Sequence, residues 1–230
     1  MNNRTLSGQL ITLEGIDGAG KTSQLATVNR WLEKKKISYL NTCEPGGTPL
    51  GREIRALLTS KDYGDMDSYT ELFLFFADRA QHIRQVIKPA LAKGLWVVSD
   101  RFYDASYAYQ GGGRQLSGDR IDALLQWTCR EVKPDLTLLL DVDPEVVWRR
   151  NSQCQATLFD GQEQDHRFAS SQMNKIEQNK RDFYTRVRTA YLQQAKREPE
   201  RWRIIRAGRR QDTIAAEING ILDKMKWKQK

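Results

Sequence analysis

The residues from Gly15 to Thr22 read GIDGAGKT and match the phosphate-loop pattern G-x-x-x-x-G-K-S/T. They follow the strand-like segment Leu10–Glu14 and lead into the helix-like segment Lys21–Lys36. That setting argues against a plain glycine-rich turn. Glycines let backbone N–H groups converge on phosphate oxygens, and the N-terminus of the helix adds its positive dipole end. The motif therefore predicts a binding site for the phosphates of a nucleoside triphosphate.

Each motif position suits a role at that site. Lys21 can reach the β- and γ-phosphates, and the Thr22 hydroxyl can bind magnesium, so we expect Mg²⁺ with ATP. The chain has no N-K-x-D guanine motif and no L-S-G-G-Q sequence, and it is short for a helicase. A kinase for a small molecule is the class that is left. The other expected ATP contacts are Gly15, Gly18, Ala19, Gly20 and Ser23.

Strand-like and helix-like segments alternate along the chain, which is typical of a parallel sheet with crossover helices. We predict one α/β domain over residues 1–230, with a three-layer P-loop NTPase fold and five parallel strands flanked by helices. The predicted strands are Leu10–Glu14, Ser38–Thr42, Trp96–Ser99, Leu136–Val142 and Trp202–Arg206. The predicted helices are Lys21–Lys36, Gly51–Thr59, Tyr69–Lys93, Gly118–Glu131, Pro144–Asn151, Asn174–Arg197 and Thr213–Lys226.

Loops are predicted where glycine and polar residues cluster. They include EPGGTP, QGGGRQ and the long aperiodic stretch SQCQATLFDGQEQDHRFASSQ. The last stretch, within residues 150–174, is long for a connection and predicts a mobile surface segment or a lid.

Composition excludes several other classes of protein. The three cysteines form no C-x-x-C pair, and the chain has only two histidines, so we expect free thiols rather than zinc or disulfides. No apolar run is long enough to cross a membrane, and the N-terminus has no signal-peptide core, which predicts a cytoplasmic location. The net charge of +8 favours anionic partners without choosing among them.

Six blocks of sequence carry a resemblance to a known family. They are LITLEGIDGAGKTSQ, TCEPGGTPLGREIRALL, LFLFFADRAQHIRQVIKPAL, WVVSDRFYDASYAYQGGGR, KPDLTLLLDVDPEVV and FYTRVRTAYL. In this order and spacing, over residues 8–225, they resemble the bacterial type of thymidylate kinase. The resemblance implies transfer of phosphate from ATP to thymidine monophosphate, a supply of dTTP, and a homodimer with neither nucleic-acid nor membrane partners.

The resemblance also assigns the main contacts to the acceptor. Phe75 and Arg79 lie four residues apart, on one face of a predicted helix, and by resemblance contact thymine. Of Phe73, Phe75 and Phe76, we expect two to pack in the core. Arg101 is implied to hold the acceptor phosphate.

Further positions correspond to supporting contacts in the family. Asp100 is implied to help hold magnesium, and Asp17 to lie near the sugar 3′-hydroxyl and the acceptor phosphate. Ser106 and Gln110 correspond to polar base contacts, and Tyr109 to a ring that crowds the 2′ position. The family's loop around the monophosphate corresponds to Glu44, Pro45 and Arg55, although a solvated helix charge is an equal interpretation of Arg55.

The family uses one more arginine to complete the positive clamp on the transferred phosphate. The P-loop contains none here, so we expect the lid to supply it, from Arg149, Arg150 or Arg167, with Lys175 as a cationic substitute. Of these candidates we assign Arg150 and Arg167 to catalysis, together with Lys21, Asp17 and Arg101. Cys43 stands where bacterial members usually carry arginine.

Two alternatives stay open from the sequence. One is a kinase for another deoxynucleoside monophosphate, or for a broader range of them. The other is a basic P-loop protein that binds nucleic acid and no longer transfers phosphate. For the dimer face, the Tyr69–Lys93 helix is a candidate, and ordinary core packing is its competing interpretation.

Overall fold

The protein, analysed as a computed structural model, is described over residues 8–149 and 170–227. Five parallel strands form one sheet in the order β2-β3-β1-β4-β5. The strands are β1 (Leu10–Glu14), β2 (Tyr39–Cys43), β3 (Trp96–Asp100), β4 (Leu136–Asp141) and β5 (Trp202–Arg206). Each lies within one residue of its predicted bounds, so the predicted α/β sheet is confirmed.

The sheet is covered by helices on both faces, which gives three layers. The central strand β1 is fully buried, as a strand between two parallel neighbours should be. One core cluster joins the sheet to α1 (Lys21–Lys34), α8 (Ser170–Arg197) and α9 (Gln211–Lys224). A second cluster includes Leu10 of β1, Val97 of β3 and the apolar residues of a helical segment that precedes β3.

The remaining helices cover the other side and the connections. They are α2 (Pro49–Thr59), α3 (Ser68–His82), α4 (Lys88–Ala92), α5 (Asp104–Ser106), α6 (Gly118–Thr128) and α7 (144–149). A π-helical segment, Ile83–Ile87, joins α3 to α4, so the predicted helix Tyr69–Lys93 is continuous but not a regular α-helix. Asp67 accepts hydrogen bonds from the backbone of Tyr69 and Thr70 and thereby sets the start of α3.

The predicted loop QGGGRQ is wrong. The chain from α5 continues as a π-helical segment, Tyr107–Gly113, that contains all three glycines. A Cβ on Gly112 would lie 2.6 Å from the Ala190 Cβ, and one on Gly113 would lie 2.5 Å from the Phe183 Cε2. The glycines therefore allow α8 to approach this segment closely, and they do not make a turn.

The helix that follows the predicted lid begins earlier than expected. Residues from Ser170 onward belong to α8, which begins four positions before the predicted Asn174. Residues 150–169 lie outside the described residues, as do Cys154, Arg150 and Arg167. Among the residues that are described, no helix is both long and apolar enough to span a membrane. Cys43 and Cys129 are free thiols.

Candidate active site

The P-loop connects β1 to α1 and packs tightly against Leu140 and Val147. Gly15, Gly18 and Gly20 all have positive φ angles, of 143°, 77° and 93°. A Cβ at Gly15 would lie 2.7 Å from the Leu140 carbonyl oxygen, and one at Gly18 would lie 2.5 Å from the Val147 Cγ1. Side chains are excluded at both positions by backbone angle and by space. The loop thus presents its backbone rather than side chains to a ligand.

Lys21 lies in the first turn of α1 and is buried. Its ammonium group donates to the carbonyl oxygens of Gly15 and Ile16, both at 3.1 Å. Burial and the nearby Arg101 lower the pKa of Lys21 to about 8, although Asp100 and Asp17 oppose that shift. The ammonium is therefore held across the loop, where a phosphate chain would bind. The next residues, Thr22 and Ser23, are exposed in the same turn.

Asp100 ends β3, next to β1 in the sheet, where open α/β sheets place their ligand groups. Its Oδ1 atom is buried and accepts no hydrogen bond within the described residues. A buried carboxylate oxygen requires a partner, and a cation or its bound water suits it. Elsewhere in the described chain, no three His, Cys, Asp or Glu residues cluster for a metal. This pattern fits Mg²⁺, which is usually held by one or two protein ligands together with phosphates and water.

Arg101 follows β3 in a left-handed conformation, with a φ of 68°. Its Nη2 donates to the Asp17 Oδ1 at 2.6 Å and to the Tyr109 hydroxyl at 3.0 Å. Its guanidinium also lies 5.3 Å from the centre of the Tyr109 ring. Burial alone would raise the pKa of Asp17, but Arg101 and Lys21 hold it below its ordinary value. Asp17 and Arg101 therefore form a charged pair between the P-loop and the end of β3.

Next to that pair, α3 contacts α5 and the π-helical segment Tyr107–Gly113 that follows it. Arg79, on α3, is only 1% exposed. Its Nε donates to the Glu44 Oε2 at 2.7 Å, its Nη1 to the Ser106 Oγ at 3.0 Å and its Nη2 to the Phe102 carbonyl at 3.4 Å. The structure thus brings together three residues that the sequence assigned to the acceptor: Arg79, Ser106 and Glu44.

The aromatic residues of α3 divide differently from the expectation. Phe76 is buried under the Arg79 guanidinium, which lies 4.8 Å from its ring centre. Phe75 is half-buried, whereas Phe73 is 56% exposed. Only one of the three therefore packs fully in the core, and the expectation of two was wrong, because α3 leaves its outer face uncovered.

The comparisons with known proteins address the family directly. The family model described as thymidylate kinase matches residues 13–218. The chain belongs to the thymidylate kinase family. It is therefore a nucleoside monophosphate kinase, a phosphotransferase.

Individual relatives agree over almost the whole length. The chain is 44% identical to the thymidylate kinase of Thiobacillus denitrificans, over 95% of this chain and 98% of that protein. It is 42% identical to the thymidylate kinase of Neisseria meningitidis serogroup B, over 94% of this chain and 96% of that protein. The crystal structure of thymidylate kinase from Ehrlichia chaffeensis superposes with a TM-score of 0.70 at 30% identity, covering 94% of this chain and 99% of that one.

In this kinase, the loop after β2 is anchored to α3. The Glu44 carboxylate, paired with Arg79, also accepts from the His82 Nδ1 at 2.9 Å. The backbone N–H of Gly46 donates to the Asp78 Oδ1 at 3.2 Å. Arg55 has an exposed side chain, yet its Nη1 donates to the Pro45 carbonyl at 3.0 Å. Arg55 therefore braces the loop from the solvent side.

Two residues at the centre of the site were missed by sequence reasoning. The Tyr184 hydroxyl, on α8, donates to the Asp17 Oδ2 at 3.0 Å. Glu14, fully buried at the end of β1, accepts from the Phe102 backbone at 2.8 Å and from the Tyr191 hydroxyl at 2.7 Å. Burial and the nearby Asp104 raise the pKa of Glu14 to about 8. The aromatic residues in the FYTRVRTAYL block, at a helical spacing of seven, were the one available signal.

The arginine that completes the phosphate clamp is not located by these contacts. Arg150 and Arg167 lie outside the described residues, and so does the side chain of Lys175. Arg149 is exposed at the end of α7. Cys43 is half-buried at the end of β2, and burial raises the pKa of its thiol.

Proposed function

We propose that this kinase transfers a phosphoryl group from Mg-ATP to thymidine monophosphate, giving thymidine diphosphate for dTTP synthesis in the cytoplasm. One observation carries the proposal beyond the family relationship. The Asp17–Arg101 pair, with a 2.6 Å contact, joins the P-loop to the end of β3, from which the chain continues into α5 beside α3. Donor and acceptor phosphates that occupy the two sides would therefore meet at a shared wall.

On the donor side, the P-loop backbone binds the phosphates and Lys21 supplies a positive charge. The backbone N–H groups of Gly18, Ala19, Gly20, Thr22 and the neighbouring Ser23 are the expected donors. Thr22 and Asp100 would hold Mg²⁺, which when bound neutralises charge on the phosphate oxygens. Because Lys21 already lies in the loop, little rearrangement separates its present contacts from a bound phosphate.

On the acceptor side, Arg101 binds the monophosphate and Asp17 orients the sugar 3′-hydroxyl. Phe75 offers a half-exposed ring for stacking, and Arg79 keeps guanidinium hydrogens beyond its three hydrogen bonds. Tyr109 lies beside Arg101, where its ring crowds a ribose 2′-hydroxyl. Gln110 and Ser106 contact the base edge in this proposal, and the loop containing Glu44 and Pro45 closes beside them.

These groups account for transfer by position and charge. Phosphoryl transfer requires the attacking and leaving oxygens to lie in line, and it requires positive charge around the migrating group. Lys21 approaches from the P-loop and Arg101 from the acceptor side. Asp17, kept ionised by these two cations, prevents Arg101 from turning away from the acceptor phosphate.

The clamp is completed in this proposal by an arginine from the lid, which would lie within residues 150–169. We expect Arg150→Ala or Arg167→Ala to lower turnover at least about tenfold with little change in substrate binding, as loss of a transition-state contact does. Single-turnover kinetics with independent measurement of nucleotide binding would test this. Full turnover in both variants would place the clamp elsewhere.

The acceptor is tested by measuring ADP release in a coupled assay with thymidine, deoxyuridine, deoxyguanosine and uridine monophosphates. We expect the highest kcat/KM with thymidine monophosphate and very low activity with the ribonucleotide. Equal turnover of the deoxynucleotides would favour the alternative, a kinase for a broader range of deoxynucleoside monophosphates. ATP binding without ADP release would remove the kinase proposal.

We also propose that the protein is a homodimer. α3 packs against both α2 and α6, and these three helices carry exposed apolar side chains. Trp127 on α6 is 83% exposed, and Phe73 on α3 and Leu50 and Leu57 on α2 are exposed as well. Apolar residues grouped in this way are typical of a surface that a partner covers.

A further inference from the structure

One side-chain amide between α3 and the π-helical segment Tyr107–Gly113 is held in a single orientation. Gln110 is buried on the segment that also carries Ser106, one helical turn earlier. Its side chain has a donating end, Nε2, and an accepting end, Oε1. A base edge that meets Oε1 must offer a hydrogen, whereas a base edge that meets Nε2 must accept one.

Glu71 settles which way the amide points. The Gln110 Nε2 donates to the Glu71 Oε1 at 2.7 Å, and the Arg114 Nη2 donates to the Glu71 Oε2 at 2.7 Å. An ionised carboxylate can only accept hydrogen bonds, so the amide end that faces Glu71 must be the NH₂ group. Within residues 8–149 and 170–227, the Gln110 Oε1 receives no hydrogen bond. The accepting end is therefore left for a ligand.

The face of α3 relates this amide to the proposed base site. Glu71, Phe75 and Arg79 follow one another at intervals of four and share one face of α3. Glu71 contacts Gln110 in the π-helical segment, and Arg79 contacts Ser106 in α5. Both ends of this face of α3 therefore contact the same stretch of chain. Phe75 lies between them. A base stacked on Phe75 would thus meet a donor, Arg79, and an acceptor, the Gln110 Oε1.

We propose that Glu71 is a specificity-determining positioning residue, which holds Gln110 so that the site selects bases with a hydrogen on N3 and an oxygen at C4. Thymine and uracil have that pattern. Cytosine has an unprotonated N3 and an amino group, so its edge would place acceptor against acceptor and donor against donor. This inference rests on the proposed function, because it requires the base to bind between α3 and the segment that carries Gln110.

The test compares thymidine monophosphate with 5-methyldeoxycytidine monophosphate, which differ only in the base edge concerned. In the Glu71→Gln variant, the new amide can donate or accept, so both orientations of Gln110 become satisfied. We expect the ratio of kcat/KM for the two substrates to fall at least about tenfold, the size of effect that a mispaired buried polar group produces. Most of the change should appear in KM.

Two further variants distinguish a role of Glu71 in base selection from a purely structural role of its ion pair with Arg114. Arg114→Gln breaks the same ion pair but leaves the carboxylate of Glu71, so selectivity should stay within about twofold of the wild type. The double variant Glu71→Gln, Gln110→Glu reverses the two groups and puts an accept-only carboxylate at the base edge. That exchange should restore the preference for thymidine monophosphate.

The outcomes are distinguishable from those that concern the proposed function. If the wild type does not prefer thymidine monophosphate, the proposed function fails. If the wild type prefers it and Glu71→Gln retains the full preference, the role of Glu71 is overturned. A loss of selectivity in Arg114→Gln equal to that in Glu71→Gln would also overturn it, since the ion pair alone would then be responsible.

Discussion

Asp17 shows how a single carboxylate can be fixed from two sides. Its Oδ1 accepts from Arg101, and its Oδ2 accepts from the hydroxyl groups of Tyr184 and Tyr109, at 3.0 and 3.3 Å. The donors come from the end of β3, from the π-helical segment Tyr107–Gly113 and from α8. A carboxylate bound on both oxygens cannot rotate, so Asp17 keeps Arg101 in one place.

Removing one of these donors should weaken catalysis without disturbing the fold. Tyr184→Phe keeps the ring and its edge contact with Trp148, whose centre is 6.0 Å away, and deletes only the hydroxyl. We expect kcat/KM to fall about fivefold to tenfold, in line with the loss of a hydrogen bond to a charged group. Steady-state kinetics measures the change. As a matched control, Tyr39→Phe removes a surface hydroxyl bonded to Glu33, and it should leave the rate unchanged. Wild-type kinetics in Tyr184→Phe would show that Asp17 needs no help from α8.

Glu14 makes stability depend on pH. Its pKa is about 8 in the folded protein and has an ordinary value of 4.5, so between these values the folded state binds a proton that the unfolded state releases. The free energy of unfolding must therefore fall as pH rises through this window. Glu14→Gln, which stays neutral, should gain stability relative to the wild type from pH 5 to pH 9, by at least about 1 kcal/mol. Denaturant unfolding at both pH values gives this difference, and an offset independent of pH would contradict it.

At the scale of elements, α8 and the π-helical segment Tyr107–Gly113 approach each other closely at two glycines. Adding a methyl group at Gly112 brings it to 2.6 Å from Ala190 Cβ and 3.0 Å from the Arg186 carbonyl oxygen. We expect Gly112→Ala to destabilise the protein by about 1–3 kcal/mol, as overpacking does. A methyl group added at Gly220, inside α9, would meet no atom within 4 Å, so Gly220→Ala should stabilise by about 0.5–1 kcal/mol. Thermal unfolding of the two variants checks both signs, and shifts in the same direction would refute this account of the glycines.

Elements governed by local signals could be predicted from the sequence. The buried strands are short apolar runs, and the P-loop glycines lie next to one another in the chain, so both were found. The contact between Tyr184 and Asp17 spans 167 residues, and that between Tyr191 and Glu14 spans 177. No local pattern reports such pairs. The three glycines after Gln110 led to a wrong prediction because glycine usually marks turns, whereas here it allows two helices to touch.

At the scale of the whole molecule, the sheet order brings the site residues together at the carboxyl ends of three neighbouring strands. β3 and β4 flank β1, so Asp100, the P-loop and the Gly15 contact at Leu140 meet where the three strands end. The exposed apolar side chains of α2, α3 and α6 lie on helices outside this arrangement. Assembly through these helices would therefore leave the P-loop open to ATP.

The proposed dimer can be tested at that face. Trp127→Glu combined with Phe73→Glu places charge on the two most exposed aromatic positions of α6 and α3. We expect the mass measured by light scattering to fall from that of two chains to that of one, because an apolar interface does not tolerate unpaired charge. Circular dichroism should confirm that the helices persist. A dimer of unchanged stability would move the interface to another surface.

The contacts between α7 and α8 have a consequence for how this chain can change in length. Trp148 meets Tyr184 edge-on and lies 5.4 Å from the Arg181 guanidinium, which also pairs with Glu145 at 3.3 Å. The two helices that flank residues 150–169 are thus joined independently of whatever sequence connects them. Doubling the length of such a connection costs only about 0.6 kcal/mol in closure entropy. The junction is therefore a natural insertion point, at which segments of different lengths can be exchanged while the sheet stays as it is.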